Sequence, residues 1–327
     1  MARLRWGILA PGRIAHKFAT GLQGLDDAQL VAVGSRSIDR AREFASQYGA
    51  PRAYGSYEEL VRDSEVDAIY VANPHNYHKD ATILCLEHGK AVLCEKPFAV
   101  SAAEAKQMVD VARRRNVFLM EAMWTRFLPA WQQVRAWIDA GSIGEVRLMN
   151  ATFGFRAGWD VKGRLLNPEL AGGGLLDVGI YVTSAAFWVT GRDPVDVVSE
   201  AHIGETGVDE QAAFLFRYDD GAIAMLGCGV RTGMQHVASI YGTEGWIEVP
   251  HMFWNTTRAV LHRGDEEVVF TEPHLSNGYE YQAREVAERV SRGETESAIL
   301  PLDETLRIMK TLDTIRAQWG LVYPFEK

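Results

Sequence analysis

Cysteine is scarce in this chain: Cys85, Cys94 and Cys228 are the only 3 in 327 residues, too few and too scattered for a disulfide framework or a thiolate metal site. A reducing compartment suits them. The histidines form no H-E-x-x-H pattern and no close cluster with Cys or Asp, so no metal centre is expected. Positive charge is also in deficit, with 34 Lys and Arg against 43 Asp and Glu, a net charge of −9. Nothing there supplies the basic face that binds a phosphate backbone, which argues against nucleic acid as a partner. The one dense basic run, Arg113-Arg114-Arg115, closes a predicted helix, where cations complement the dipole. No apolar run approaches the roughly 20 residues needed to span a bilayer. The first residues, Met1 to Ile8, lead directly into a strand without an apolar leader segment. The expectation is a cytoplasmic protein with neither nucleic acid nor a membrane as partner.

What the chain does contain is an apolar content of 47% and charge of 24%, the balance of a globular protein long enough for two domains. Up to about residue 122, short apolar runs alternate with amphipathic segments. Trp6–Leu9, Leu30–Val33, Ala68–Val71, Ala91–Cys94 and Val117–Met120 read as strands. A helix over 38–48 puts Ile38, Ala41, Phe44, Ala45 and Tyr48 on one face, and Ser56/Glu59 and Ser101/Glu104 are capping boxes that open two more. Uniformly apolar strands joined by helices predict a doubly wound parallel α/β sheet over residues 1–122. From 123 to 327 the pattern changes. After a helix at about 128–140, strands are expected at 145–155, 195–203, 210–218, 222–230, 236–241, 258–263 and 266–271, with helices at about 175–190, 279–292 and 303–319. Turn signals such as Asp219-Asp220-Gly221 predict an open, mostly antiparallel sheet with helices in this α+β half.

Two features of the first half carry chemistry. Gly7 to Ala15 follows the first strand and opens a helix, reading A-x-G-x-x-A with Ala10 where a dinucleotide turn usually has its first glycine. Ala10, Gly12, Arg13 and Ile14 would line a pyrophosphate at the helix N-terminus. The second strand ends in Val33-Gly34-Ser35-Arg36, with Arg40 one turn on and no acidic residue to hold a ribose 2′-hydroxyl. Ser35, Arg36 and Arg40 suit a 2′-phosphate, so NADP is expected, with NAD possible. The second feature is Glu95-Lys96-Pro97, a charged pair at the end of the apolar Ala91–Cys94 strand. Proline stops the strand and leaves Lys96 at the carboxyl edge of a parallel sheet, where open α/β folds bind ligands.

With these residues in place, the chain resembles the glucose–fructose oxidoreductase/inositol dehydrogenase (Gfo/Idh/MocA) family. Asn73-Pro74-His75-Asn76-Tyr77-His78 is similar to its P-x-x-x-H segment, Gly89 to Pro97 to its strand and E-K-P segment, and Gly172 to Tyr181 to its G-G-x-x-x-D-x-G-x-[HY] motif. Met120 to Pro129, and tyrosine at 181, resemble the dimeric dihydrodiol dehydrogenases and bacterial aldose dehydrogenases within the family. The resemblance implies a Rossmann domain, an open-sheet domain that often forms a dimer, and catalysis by Lys96, Asp177 and Tyr181. It adds Asn73, Pro74, His78, Glu95, Trp124 and Arg126 to the cofactor side, with His78 facing the cofactor cleft. On residue type alone, Asp177 and Tyr181 also fit a helix-start acid and a core aromatic. Trp124 and Arg126 equally fit an interdomain hinge. The implied activity is NADP-dependent hydride transfer at a CH–OH or carbonyl group of a sugar, cyclic polyol or trans-dihydrodiol, in a homodimer. An NADP-binding regulator, or a biliverdin- or imine-type reductase, is the alternative.

Overall fold

The computed structural model describes residues 3–326. The chain divides into two units: one runs to Trp124 and takes in His274–Leu306, and the other holds Thr125–Pro273 and the stretch from Arg307 onward. The first division lies close to the expected 122/123. The return of 274–306 to the first unit has no counterpart in a single cut there.

The first unit contains β1 (Leu4–Leu9), α1 (Arg13–Gln23), β2 (Ala28–Gly34), α2 (Ile38–Tyr48), β3 (Arg52–Tyr54), α3 (Tyr57–Val61), β4 (Ala68–Val71), α4 (His78–Glu87), β5 (Ala91–Glu95), α5 (Ala102–Arg115) and β6 (Leu119–Ala122). Its six strands are all parallel in the order β3-β2-β1-β4-β5-β6, the doubly wound arrangement whose direction reverses between β1 and β4. β4 and β5 are buried at every position, as strands covered on both faces must be. Ser56 and Ser101 cap α3 and α5 by accepting from the Glu59 and Glu104 amides at 3.1 and 3.3 Å. The two glutamates reach back to the Gly55 and Val100 amides, one residue before each cap. β6 sits two residues later than the 117–120 expected, because buried Glu121 belongs to the strand and interrupts the apolar run that marks it. The three-residue edge strand β3 is too short to produce a pattern.

The second unit contains α6 (Pro129–Asp139), β7 (Val146–Gly154), α7 (Ile180–Thr190), β8 (Asp196–Ile203), β9 (Asp209–Arg217), β10 (Ile223–Gly229), β11 (Ala238–Gly242), β12 (Trp246–Val249), β13 (Arg258–Arg263) and β14 (Glu266–Thr271). α8 (Glu280–Ser291) belongs to the first unit, and the division between units falls within α9 (Leu302–Trp319). The eight strands order as β14-β13-β12-β11-β7-β10-β9-β8, antiparallel except for β7 beside β10. β12 is absent from the sequence reading: its Trp246-Ile247-Glu248-Val249 run is short and carries a charge. Pro168–Thr190 is long and apolar enough by composition to cross a membrane, a stretch the sequence reading passed over. Its 18-residue apolar window is 94% buried inside the protein, which makes it a core element of this unit. Within it, Leu175–Gly179 is a π-helical turn rather than the α-helix expected from 175.

In the first unit, residues 274–280 dock on α1. The buried Glu280 carboxylate accepts from the Ser276, Asn277 and Gly278 amides at 2.8, 3.1 and 2.7 Å. Asn277 Nδ2 donates to Lys17 O at 2.8 Å, and Gly21 leaves room for Tyr279 Cβ and the Glu280 amide.

Candidate functional site

The phosphate turn leaves β1 at the point where the strand order reverses. Ala10 has φ +66°, the left-handed conformation that favours glycine, which is why many such turns place glycine there. Its carbonyl accepts from Gly12 N at 2.7 Å, and its amide donates to Gly34 O at 2.9 Å, tying the turn to the end of β2. A Cβ on Gly12 would meet nothing nearer than 3.9 Å, so the fold alone does not require glycine at that position. The missing side chain leaves bare backbone before the first-turn amides of α1, which no side chain caps. That is the cradle a pyrophosphate requires, and Arg13 and Ile14 begin the helix behind it. Ser35 is buried at the end of β2, while Arg36 and Arg40 are exposed beside the start of α2. Tyr57 stands in their field: burial raises its pKa and the Arg36 and Arg40 charges draw it back.

Asn73 follows β4 with its Nδ2 donating to Tyr77 O at 3.1 Å and its buried Oδ1 without a partner among the described residues. An orphaned buried acceptor at a carboxyl strand end fits a ligand donor. Pro74 precedes a single turn, His75–Tyr77, that leads into α4. His78 is expected to face the cofactor cleft; it lies wholly inside instead, its Nδ1 2.8 Å from Pro97 O and its Nε2 2.9 Å from Asn73 O. Burial pushes its pKa down to about 4, and the neutral ring carries a single N–H, so it donates to one of these two carbonyls and only packs against the other. The correction follows from α4 beginning at His78, which turns the side chain toward the core.

The Glu95–Phe98 loop is pinned from several sides. Glu95 accepts from the Tyr70 hydroxyl and, through Oε2, from Lys96 N at 3.1 Å. Phe98 N donates to Glu121 Oε1 at 3.1 Å, and His78 contacts Pro97 O. The Lys96–Pro97 peptide is cis. Lys96 is half-buried at the head of this loop. Its supports Tyr70 and Glu121 escaped the sequence reading, although a lone carboxylate in the apolar β6 run is the same signal that singled out Glu95. Trp124 is buried in the first unit, its ring stacked on Tyr279 at 4.3 Å.

The second unit holds the other named residues. Arg126, expected on the cofactor side, has its guanidinium buried inside this unit: Nε donates to Ser184 Oγ at 2.8 Å, and the cation lies 4.9 Å from the Trp188 ring centroid. The turn from β6 carries it onto α7, whose small Ser184 leaves the space. Asp177 is buried in the π-helical turn and pairs with Arg164 Nη1 at 2.7 Å, the arginine being half exposed. Tyr181 is the second residue of α7, buried with its ring centroid 5.3 Å from that of Phe153. Phe153 stacks on Trp254 at 4.2 Å and abuts His236 at 4.9 Å, so Tyr181 stands beside an aromatic wall. Phe153, His236, Trp254 and Arg164 come from separate loops and strands, and no local spacing joins them in the sequence. Among the described residues no three His, Cys, Asp or Glu side chains form a metal-holding group.

Comparison with known proteins agrees with this geometry. Residues 4–123 match the family described as "Oxidoreductase family, NAD-binding Rossmann fold", and residues 131–248 match the GFO/IDH/MocA C-terminal domain. The chain is 38% identical to the trans-1,2-dihydrobenzene-1,2-diol dehydrogenase of Mus musculus over 99% of both chains, and 35% identical to that of Xenopus tropicalis over 98% of this chain and 99% of the other. Among solved structures, a 3-ketoreductase from Actinomadura kijaniata in complex with NADP and TDP-benzene superposes with a TM-score of 0.86 at 26% identity, covering 96% of this chain and 97% of that one. An aldose-aldose oxidoreductase from Caulobacter crescentus complexed with glycerol gives 0.89 at 25% identity, over 97% and 98%. Motifs, fold and near full-length similarity agree, and the chain belongs to the Gfo/Idh/MocA family of oxidoreductases.

Proposed function

We propose that the chain is an NADP-preferring dehydrogenase that moves a hydride between nicotinamide and the CH–OH carbon of a trans-dihydrodiol, a sugar or a cyclic polyol. The observation that carries this reading is the pinned Lys96 at the carboxyl end of β5, in a chain 38% identical along its whole length to trans-dihydrodiol dehydrogenases. NADP, when bound, supplies the hydride acceptor, or the donor in reverse. The side chains supply everything else. Gly12 and the first amides of α1 hold the pyrophosphate, Asn73 and Pro74 line the strand end, and Ser35, Arg36 and Arg40 hold the 2′-phosphate with charge-assisted bonds.

Lys96 or Tyr181 takes the hydroxyl proton in the oxidative direction and returns it in the reductive one, aided by Asp177. The Phe153–Trp254 wall beside Tyr181 favours a flat ring such as an unsaturated cyclic diol and keeps water from the phenol. Three buried free thiols suit a reducing cytoplasm as the place of action. A homodimer through the open sheet accompanies the reading: directly paired Val198, Leu215 and Met225 leave an apolar row 60%, 46% and 39% exposed.

Absorbance of the reduced cofactor tests the proposal, with trans-1,2-dihydrobenzene-1,2-diol, xylose, glucose and inositols as substrates and NADP+ and NAD+ in parallel. Turnover of at least one diol or sugar, faster with NADP+ at low cofactor concentration, is the expected result. No reduction with any of them overturns the reading.

A further inference from the structure

The three glycines before Asp177 are held by two buried residues far away in sequence. Asp209, at the start of β9 and wholly buried, accepts from Leu175 N at 2.6 Å through Oδ2. Gly174 N is a second amide acting on the same carboxylate. The fit is tight: a Cβ on Gly173, at φ +122°, would lie 2.1 Å from Asp209 Oδ1, and one on Gly174 would lie 3.4 Å from Oδ2. From the other side the buried Tyr323 hydroxyl donates to Gly172 O at 2.9 Å. Tyr323 is itself fixed: Arg316 lies over its ring at 5.1 Å and pairs with Glu326 at 2.8 Å, and Glu326 accepts from Tyr323 N at 2.9 Å. Gly172 N and Gly173 N donate to Asn167 O and Leu165 O at 3.1 and 2.9 Å, closing the set. The backbone that launches the π-helical turn is therefore fixed at both ends of the glycine run.

A π-helical turn departs from the regular helical ladder, and such turns recur at functional sites because they re-aim side chains. This turn carries Asp177, and Tyr181 follows on the second residue of α7. We propose that Asp209 and Tyr323 are positioning residues that set the aim of Asp177 and Tyr181 by clamping Gly172–Leu175. The inference rests on the functional reading above. It assigns neither residue any contact with substrate. The buried carboxylate and phenol act on backbone only, and their reward is geometric, since a misplacement of about 1 Å at a reacting group costs roughly 100-fold in rate.

Two conservative variants test it, Asp209→Asn and Tyr323→Phe, each removing one polar feature and little volume. With NADP+ and trans-1,2-dihydrobenzene-1,2-diol, each is expected to lower kcat roughly 10-fold or more and to leave the KM for NADP+ within about twofold. In a background carrying both Asp177→Asn and Tyr181→Phe, Asp209→Asn should cost less than about twofold further, because a residue that acts through those two side chains has nothing left to aim. Amide hydrogen exchange across 174–181 should accelerate in both variants. Undiminished kcat with unchanged exchange overturns the proposal, as do fully multiplicative losses in the background that lacks both aimed side chains. If the unmodified chain reduces no cofactor with any diol or sugar, the functional reading fails. Exchange then decides the positional claim, and unchanged protection at Gly174 and Leu175 defeats it.

Discussion

At the scale of single residues, the account turns on charges whose surroundings differ sharply. Arg36 and Arg40 are exposed at the start of α2, whereas Arg126 is buried against Ser184 and Trp188. Charge-assisted bonds to a phosphate contribute about 1.5–3 kcal/mol each, less when exposed. Replacing Arg36 and Arg40 together by Ala should therefore raise the KM for NADP+ roughly 10- to 100-fold and leave that for NAD+ within about threefold. Steady-state kinetics with both cofactors checks this, and equal losses contradict the 2′-phosphate role. The sequence marks these arginines because the absence of an acid after β2 is a local signal. It marks Glu95 and Lys96 because charge at the end of an apolar strand is conspicuous. It does not show that His78 points inward, since that depends on which residue begins α4. Nor does it reveal Tyr70 or Glu121 as the supports of the Lys96 loop, because those contacts join different strands.

At the scale of elements, the parallel sheet was legible and the second sheet only partly so. Five largely buried strands joined by helices repeat one pattern, and only the half-buried, three-residue β3 fell below it. In the second unit, β12 is short and broken by Glu248, and the π-helical turn at Leu175–Gly179 has the same composition as the α-helix that follows. Asp209 lies just outside the strand expected at 210–218 and carried no signal of its own in the sequence. Burial pushes its carboxyl up to about 7, drawn back by the Leu175 and Gly174 amides and by Arg316. Tyr323 and Cys228, the other titratable groups that feel it, are themselves raised by burial and stay neutral. Unfolded, the carboxyl titrates near about 3.9. Between those values the folded state keeps a proton that the unfolded state has released, so stability from this group is present below pH ~4 and falls as pH rises toward ~7. Asp209→Asn should remove that slope, so its Tm relative to the parent chain should climb from pH ~4 to ~8. Thermal melts across this range check it, and parallel curves contradict it. A variant that is slower yet no less stable at pH ~8 also separates aim from mere scaffolding.

At the scale of the whole chain, the order of the two folds was readable because one pattern gives way to another near residue 122. The return of residues 274–306 to the first unit was not. It depends on Glu280 capping three nearby amides, and on contacts of Lys17 and Gly21 in α1 with Asn277 and Tyr279, more than 250 positions later in the chain. The exposed row across β8, β9 and β10 belongs to this scale too. Leu215→Asp places a charge in its middle, and if the row is the homodimer surface the variant should sediment as a monomer where the parent chain is a dimer. Equal sedimentation of the two contradicts that interface.

The central claim is that the Lys96 ammonium takes part in the chemical step, and one variant tests it most directly. Lys96→Met keeps the length of the side chain and removes its proton chemistry. Its kcat with NADP+ and trans-1,2-dihydrobenzene-1,2-diol should fall by roughly 100- to 10,000-fold, while NADP+ binding measured by protein fluorescence stays within about threefold of the parent. A variant that turns over at the parent rate contradicts the account.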